Sequence, residues 1–320
     1  MNLQDTIFIL GAGASKPYGY PTASKLRDDI ISEYENVIRE TFKLMNRDSQ
    51  LIKRALQEIS PIIKEFDLSH TNSIDLFLTR KSERKNVNLG VELIWMFIMW
   101  YERNSISSRQ IEDKDEDWYY EFFNELTGDI TTKKELDNMP ADKIHFINFN
   151  YDRSLENYLY ESFMNSFSLT KEETTELMSK HFCFTHVYGK VANFDWDIGK
   201  ANTIAYKDPN GVFILMNATN MINILYAERN IDPATQELIK SKIKIIVLGF
   251  GFAKANIDFL NLKEILTANH VIYATGIGLY ESRTNKIKSL LQRGIVGIKD
   301  NNIIIEPKSN SLQLLRNRVF

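Results

Sequence analysis

Cysteine is nearly absent from this sequence: there is one, Cys183, in 320 residues. A single thiol closes no disulfide and builds no cysteine zinc site within the chain, and such usage is expected of a reducing, cytoplasmic compartment. The histidines (His70, His145, His181, His186, His270) are scattered rather than spaced as ligands, so neither zinc nor another metal is expected. Long apolar runs are also missing. The longest, Val91–Tyr101, is interrupted by Glu92 and reaches about half of the ~20 residues a membrane-spanning helix needs, so a buried helix and no membrane contact are expected. The start, Met1 through Asn2, Gln4 and Asp5 into a short strand, has no basic stretch or cleavage site and does not read as a signal peptide. Charge of one sign is lacking too. Thirty-nine basic and 42 acidic residues leave a net charge of −3, which weighs against direct binding of nucleic acid.

What remains is ordinary for a soluble globular protein: 43% apolar and 25% charged residues. The length suits one large α/β domain with an insertion, or two domains sharing a cleft. Short apolar strands are expected at Thr6–Leu10, Ile144–Asn148, His181–Val187, Gly211–Met216, Lys242–Leu248, His270–Thr275 and Ile303–Ile305. Helices are expected from Pro21 to about Phe42, at Arg153–Phe167, Lys171–Lys180 and Arg283–Gln292, and at the terminal Leu312–Phe320. Between residues 50 and 127 no strand is convincing. Leu51–Phe66, Ile74–Arg80, Leu89–Tyr101 and Trp118–Leu126 all show helical spacing, with an acidic hinge (Glu112, Asp113, Asp115, Glu116, Asp117) before the last. The fold class is therefore α/β: a Rossmann-like, mostly parallel sheet with helices on both faces and a helical insertion. The expected units are 1–48 with 140–320 for the nucleotide-binding domain and 49–139 for the insertion. No internal repeat or low-complexity segment is visible.

Four stretches can carry chemistry. Gly11-Ala12-Gly13-Ala14-Ser15 follows a strand, where glycines let phosphate oxygens approach main-chain N–H groups. The third glycine of the dinucleotide fingerprint is missing and no Gly-Lys-Ser/Thr ending makes a P-loop, so a plain glycine turn competes equally. Asn148-Phe-Asn150-Tyr-Asp152 lies where a parallel strand delivers residues to the ligand edge; either Asn150 or Asp152 could instead cap the next helix. His186-Val-Tyr-Gly189 places an imidazole, the side chain best suited to take a proton near neutrality, although a lone histidine is more often structural. Leu248-Gly249-Phe-Gly251-Phe252, with Asn256 beyond it, offers a second glycine loop or a plain βα turn. Asp75 reads as a first-turn carboxylate within reach of the cleft.

In order and position, GlyAlaGlyAlaSer, AsnTyrAsp and HisValTyrGly resemble the phosphate loop, Asn-x-Asp motif and His-x-Gly motif of the sirtuin superfamily, over Thr6 to about Thr275. The zinc-binding cysteines of sirtuin deacylases are absent, and their Pro-Asp-Phe-Arg segment is replaced by Tyr20-Pro-Thr-Ala-Ser24. The chain is thus more similar to the prokaryotic sirtuin-like domains of antiphage defence. That resemblance implies a cytoplasmic NAD glycohydrolase giving nicotinamide and ADP-ribose. It implies Gly11, Ala12, Gly13 and Ser15 at the pyrophosphate and ribose; the second glycine loop, with Gly249, Gly251 and Asn256, is placed by its strand end to close over the ribose or the adenine. Asn150 would orient the ribose or the attacking water, Asp152 would fix the loop and its electrostatics, and His186 would be the general base. It also implies gating, by homo-oligomer formation, a HerA-type ATPase or an Argonaute, with the insertion and the terminal helix as docking surfaces. The alternatives are a sensor that binds NAD or ADP-ribose without turnover, or a subunit of a nuclease or ATPase complex. A deacylase lacks its zinc ligands. A dehydrogenase lacks the full fingerprint and a clear acidic ribose partner.

Overall fold

Three phenylalanines in register show why the first strands pair. In the computed structural model, Phe8 lies opposite Phe146, and Phe146 opposite Phe184. Their rings stack at 5.0 and 4.9 Å between centroids. Strands β1 (Thr6–Leu10), β2 (Ile144–Asn148), β3 (Phe182–His186), β4 (Lys244–Leu248), β5 (Val271–Thr275) and β6 (Ile303–Glu306) form one sheet in the order β3-β2-β1-β4-β5-β6. Every pairing is parallel. This is the strand order of doubly wound nucleotide-binding folds, and an α/β, Rossmann-like architecture is what the chain has. β1, at the centre, is buried along its whole length, as a run of five residues without a charge requires. The structure describes residues 3, 5–139, 143–224, 231–293 and 299–320. Met1, Asn2 and Gln4 of the start considered above, and residues 140–142 at the boundary of the two expected units, lie outside the described residues.

Helices α1 (Ala23–Leu44), α2 (Ser49–Leu68), α3 (Ile74–Thr79), α4 (Arg84–Asn104) and α5 (Trp118–Thr127) fill the long connection from β1 to β2. The apolar run expected to be a buried helix is the centre of α4, where Leu93–Met99 are all buried. Among the described residues no helix is long and apolar enough to cross a membrane. α5 covers the sheet: its Phe122 meets Phe8 and Phe146 edge-on, at 5.7 and 5.8 Å. One contiguous set of buried apolar side chains runs from α1–α4 into the sheet. After β2 come α6 (Ser154–Ser166) and α7 (Lys171–His181), then α8 (Pro233–Ser241), α9 (Lys254–Leu260), α10 (Glu281–Gln292) and α11 (Ser311–Arg318).

One expected strand is not a strand. Gly211–Met216 lies within a 3₁₀ helix, Pro209–Asn217, opened by Asp208 accepting from the Asn210 N–H and by Pro209 in the first turn. Val212 and Leu215 are buried while Phe213 and Met216 are exposed. That three-residue period belongs to a 3₁₀ helix, not to the alternation of a strand.

A buried ion pair ties α4 to the start of α6. Arg153, at the start of α6, and Glu102, near the end of α4, are both 0% exposed. They pair through Nε–Oε2 at 2.9 Å and Nη2–Oε1 at 2.8 Å. The remaining guanidinium hydrogens go to the carbonyls of Asn193, Ile204 and Ala205, and the Phe194 ring lies 4.5 Å from the guanidinium carbon. A buried charge pair is tolerated when its remaining donors and acceptors are met in this way.

Candidate functional site

Parallel strands deliver their C-terminal residues to one edge, and a crevice opens where the strand order reverses. Here that point lies between β1 and β4, and a cavity of about 1000 Å³ occupies it, the upper end of the roughly 300–1,000 Å³ of small-molecule and cofactor sites. Its walls are the loops after β1 (Gly11, Ala12, Gly13), β2 (Phe149–Asp152), β4 (Gly249–Gly251) and β5 (Thr275–Ile277), with Asn256 from α9 and Asp75 from α3. Of the ten residues expected to bind or react, eight are therefore on the wall, and Asp75 is there with them. Ser15 and His186 are not.

The glycines work differently from a phosphate cradle. The Gly11 N–H donates to the Leu248 carbonyl and the Gly13 N–H to that of Gly249, both at 2.9 Å, and the Ala14 N–H returns to the Gly11 carbonyl. A Cβ on Gly11 would lie 2.6 Å from the Phe250 Cα, and one on Gly13 2.8 Å from the Gly249 Cα. Gly249 has φ +59°, and a Cβ there would stand 2.0 Å from the Ala14 nitrogen. These glycines let the β1 and β4 loops touch, with their amides turned to each other. Thr275 Oγ1 accepts from the Gly249 N–H at 2.8 Å and fixes the second loop from β5. Gly251, by contrast, has nothing within 4 Å of its Cβ position and leaves its backbone open to the cavity.

Asn150 bridges the loops. Its Nδ2 donates to the Gly11 carbonyl at 3.0 Å and to Ser15 Oγ at 3.1 Å. A carbonyl only accepts, so the amide nitrogen must face Gly11, and Oδ1 is the group Asn150 can offer a ligand. Ser15, 3% exposed, supports this amide from behind the wall. Asp152 Oδ1 accepts from the backbone N–H and the hydroxyl of Ser154, so it shapes the start of α6 as a capping residue does while lining the cavity. Burial pushes its carboxyl above the ordinary value, against hydrogen bonds from Ser154 and Ser15 and the charge of His186.

His186 is the main departure. It is the last residue of β3, in register with Asn148, so its side chain projects onto a sheet face rather than over the edge. Nδ1 lies 3.0 Å from the Asn150 carbonyl oxygen and Nε2 3.0 Å from Glu156 Oε2 on α6. Both ring nitrogens thus stand against oxygens of the protein, with the role of each set by the tautomer. His186, expected as a general base, is therefore off the cavity wall and engaged at both ring nitrogens. Glu156 also meets Lys190 at 3.2 Å, which in turn meets Asp197 at 3.2 Å. Burial works against the Glu156 charge, but Lys190 and His186 outweigh it and hold the carboxyl at about 2.

Tyr188, two residues beyond and past the strand end, is the side chain of that segment that reaches the cavity, its hydroxyl donating to Asn256 Oδ1 at 2.8 Å. With Phe149, Tyr151 and Phe250 it gives the cavity an aromatic wall, Phe149 meeting Phe250 and Tyr188 edge-on at 4.9 and 5.6 Å. On the β4–β5 side stand Lys254, paired with Asp258, and Arg283, which makes no ion pair among the described residues. Neither Tyr188 nor Arg283 was singled out in the sequence; the signal available was their place one or a few residues past a strand end or at a helix start. Among the described residues no three His, Cys, Asp or Glu side chains are grouped to hold a metal ion. No protein-family model matches the chain, and no curated protein matches it significantly.

Proposed function

We propose that this chain is a sirtuin-like, cytoplasmic NAD hydrolase that binds NAD in the switch-point cavity and cleaves the bond between nicotinamide and ribose. One observation carries the reading: an amide and a carboxyl, Asn150 and Asp152, stand two residues apart on the wall of a cavity of about 1000 Å³ at the ligand edge of a doubly wound sheet. Nicotinamide departs with the electron pair of the C1′–N bond and leaves as a neutral molecule. The ribosyl C1′ becomes oxocarbenium-like, and Asn150 Oδ1 and the Asp152 carboxylate lower the energy of that charge. Water adds to C1′ and gives its proton to Asp152, whose burial-raised carboxyl makes it a better base than a solvated aspartate. His186 holds the Asn150 carbonyl and acts as a positioning residue. With the Gly11 and Gly13 amides engaged by the β4 loop, Arg283 supplies positive charge for the pyrophosphate.

A second reading, a sensor that binds NAD or ADP-ribose without turnover, is favoured by the engagement of both His186 nitrogens. Product analysis with NAD separates the two. Release of nicotinamide and ADP-ribose by the wild type, lost in Asp152→Asn with NAD affinity kept, supports hydrolysis. Binding without products supports the sensor, and no binding overturns both. From the same resemblance we propose an antiphage role gated by self-assembly or a partner ATPase; size-exclusion profiles with and without NAD test the first.

A further inference from the structure

Tyr119 is a buried phenol that the proposed reaction leaves unused, and it is held from several sides. It lies in the first turn of α5, in the connection between β1 and β2. Its ring stacks on that of Tyr18 at 3.6 Å between centroids, and its backbone N–H donates to the Tyr18 hydroxyl at 2.7 Å. The neighbouring Trp118 donates from Nε1 to the Ala14 carbonyl at 2.8 Å, so the start of α5 is fastened to the segment that follows β1. The Tyr119 hydroxyl lies 2.8 Å from Ser154 Oγ. Ser154 has one hydroxyl hydrogen, and it goes to Asp152 Oδ1, so across that contact the phenol is the donor. Tyr119, Ser154 and Asp152 thus form a chain with both hydrogens pointing toward the carboxylate. Buried hydrogen bonds ordered head to tail polarise one another, so the far donor strengthens the near one. Burial pushes the phenol up, which keeps it protonated and able to donate. Ser15, whose Oγ accepts from Asn150, stands within hydrogen-bonding reach of both the phenol and the carboxyl.

We infer that Tyr119 is a positioning residue: acting through Ser154, it holds Asp152 in the orientation and ionised state in which the carboxylate takes a proton from water. The inference rests on the hydrolase reading above and adds to it a residue that sets the base from outside the cavity. Neither Tyr119 nor Ser154 lines the cavity, so neither touches the substrate. The other titratable groups that face Asp152 are Tyr20, Tyr206 and His186. Arg153, next in sequence, is engaged by Glu102. The Tyr20 and Tyr206 hydroxyls turn to each other at 2.7 Å, which leaves Tyr119 as the tyrosine that reaches the carboxyl through hydrogen bonds.

The test uses the full chain and three variants: Tyr119→Phe, Ser154→Ala and the two together. Nicotinamide release from NAD is followed across pH, and the Asp152 carboxyl is titrated by NMR. Tyr119→Phe keeps the ring stack and the backbone bond and removes only the hydroxyl. It is expected to lower kcat about three- to tenfold, the worth of one net hydrogen bond, with KM kept within a factor of about two. The carboxylate loses donor support, so the acid limb of the rate profile and the Asp152 titration are expected to move to higher pH. Beside Ser154→Ala the same substitution is expected to change kcat by less than about twofold, because the link is already broken. An unchanged kcat and Asp152 titration in Tyr119→Phe, or an equal loss with and without Ser154, overturns the inference. If the wild type releases no nicotinamide, the hydrolase reading falls and the Asp152 titration alone decides: a shift in Tyr119→Phe that vanishes beside Ser154→Ala upholds the link, and no shift overturns it.

Discussion

Two neighbouring stretches after β2 handle buried charge in opposite ways. Arg153 and Glu156 turn inward, and each meets its complement: Arg153 has Glu102, three carbonyls and a ring, and Glu156 has His186 and Lys190. Asn150 and Asp152, immediately before them, are as buried, at 7% and 5% exposure, yet they face a cavity and are satisfied only on the side turned to the protein. Burial alone does not mark a functional group. What distinguishes the two stretches is whether the protein itself completes the hydrogen bonding; His186, with a partner at each ring nitrogen, resembles the inward pair in this.

The comparison can be broken first at its inward half. Arg153→Met leaves Glu102 buried without its partner, and loss of one member of such a pair costs about 3–5 kcal/mol; a large fall in melting temperature is expected, and a fall of only a degree or two would remove Arg153 from the structural set. Asn150→Ala strikes the cavity half. It is expected to lower turnover by about 10²–10³ while costing about 1–2 kcal/mol of stability for the unmade bonds to Gly11 and Ser15. A loss of folding comparable to Arg153→Met would place Asn150 with the inward set. Acid separates the halves by sign. Glu156, held at about 2, contributes stability above its ordinary value of about 4.3 that is lost as pH falls from there toward 2. Asp152, pushed up, works the other way: its contribution is present in acid and is lost as pH rises through its raised value. Urea midpoints of the wild type should therefore fall between pH 4.5 and 2, less steeply in Glu156→Gln, and more steeply in Asp152→Asn. The smallest effect is expected at Arg283→Gln, a weakening of NAD binding that shrinks as salt is raised, with stability unchanged.

Much of the scaffold was legible because it is local. Thr6–Leu10 and Ile144–Asn148 are short apolar runs ended by glycine or polar residues, and both are strands with those bounds. α4 follows from apolar spacing, and α8, not foreseen, carries its own signal in Asp232-Pro233, a capping carboxylate followed by proline in the first turn. The pattern misled at Gly211–Met216, where six mostly apolar residues suit a strand until burial reveals a period of three. At the site the limit was of another kind. That Gly13 serves Gly249 rather than a phosphate depends on a contact across more than two hundred residues. Whether His186 or Tyr188 reaches the cavity depends on where β3 ends, and a shift of two residues changes which side chain clears the sheet edge. Asp75 reaches the cavity wall beside Tyr151, 76 residues away, whose hydroxyl donates to it.

The long excursion between β1 and β2 also sets a timetable. β1 ends at residue 10, its neighbours β2 and β4 begin at residues 144 and 244, and the Gly13–Gly249 contact cannot form before the second of these has left the ribosome. At about 5–20 residues per second, roughly 10–50 s separate the synthesis of the central strand from that of its last partner. An uncharged run, Thr6–Leu10, waits with two open edges until β2 is made and with one until β4 is made. A nascent chain released early would have half a sheet and no closed cavity, so any activity that consumes NAD would begin only on a chain made nearly to its end.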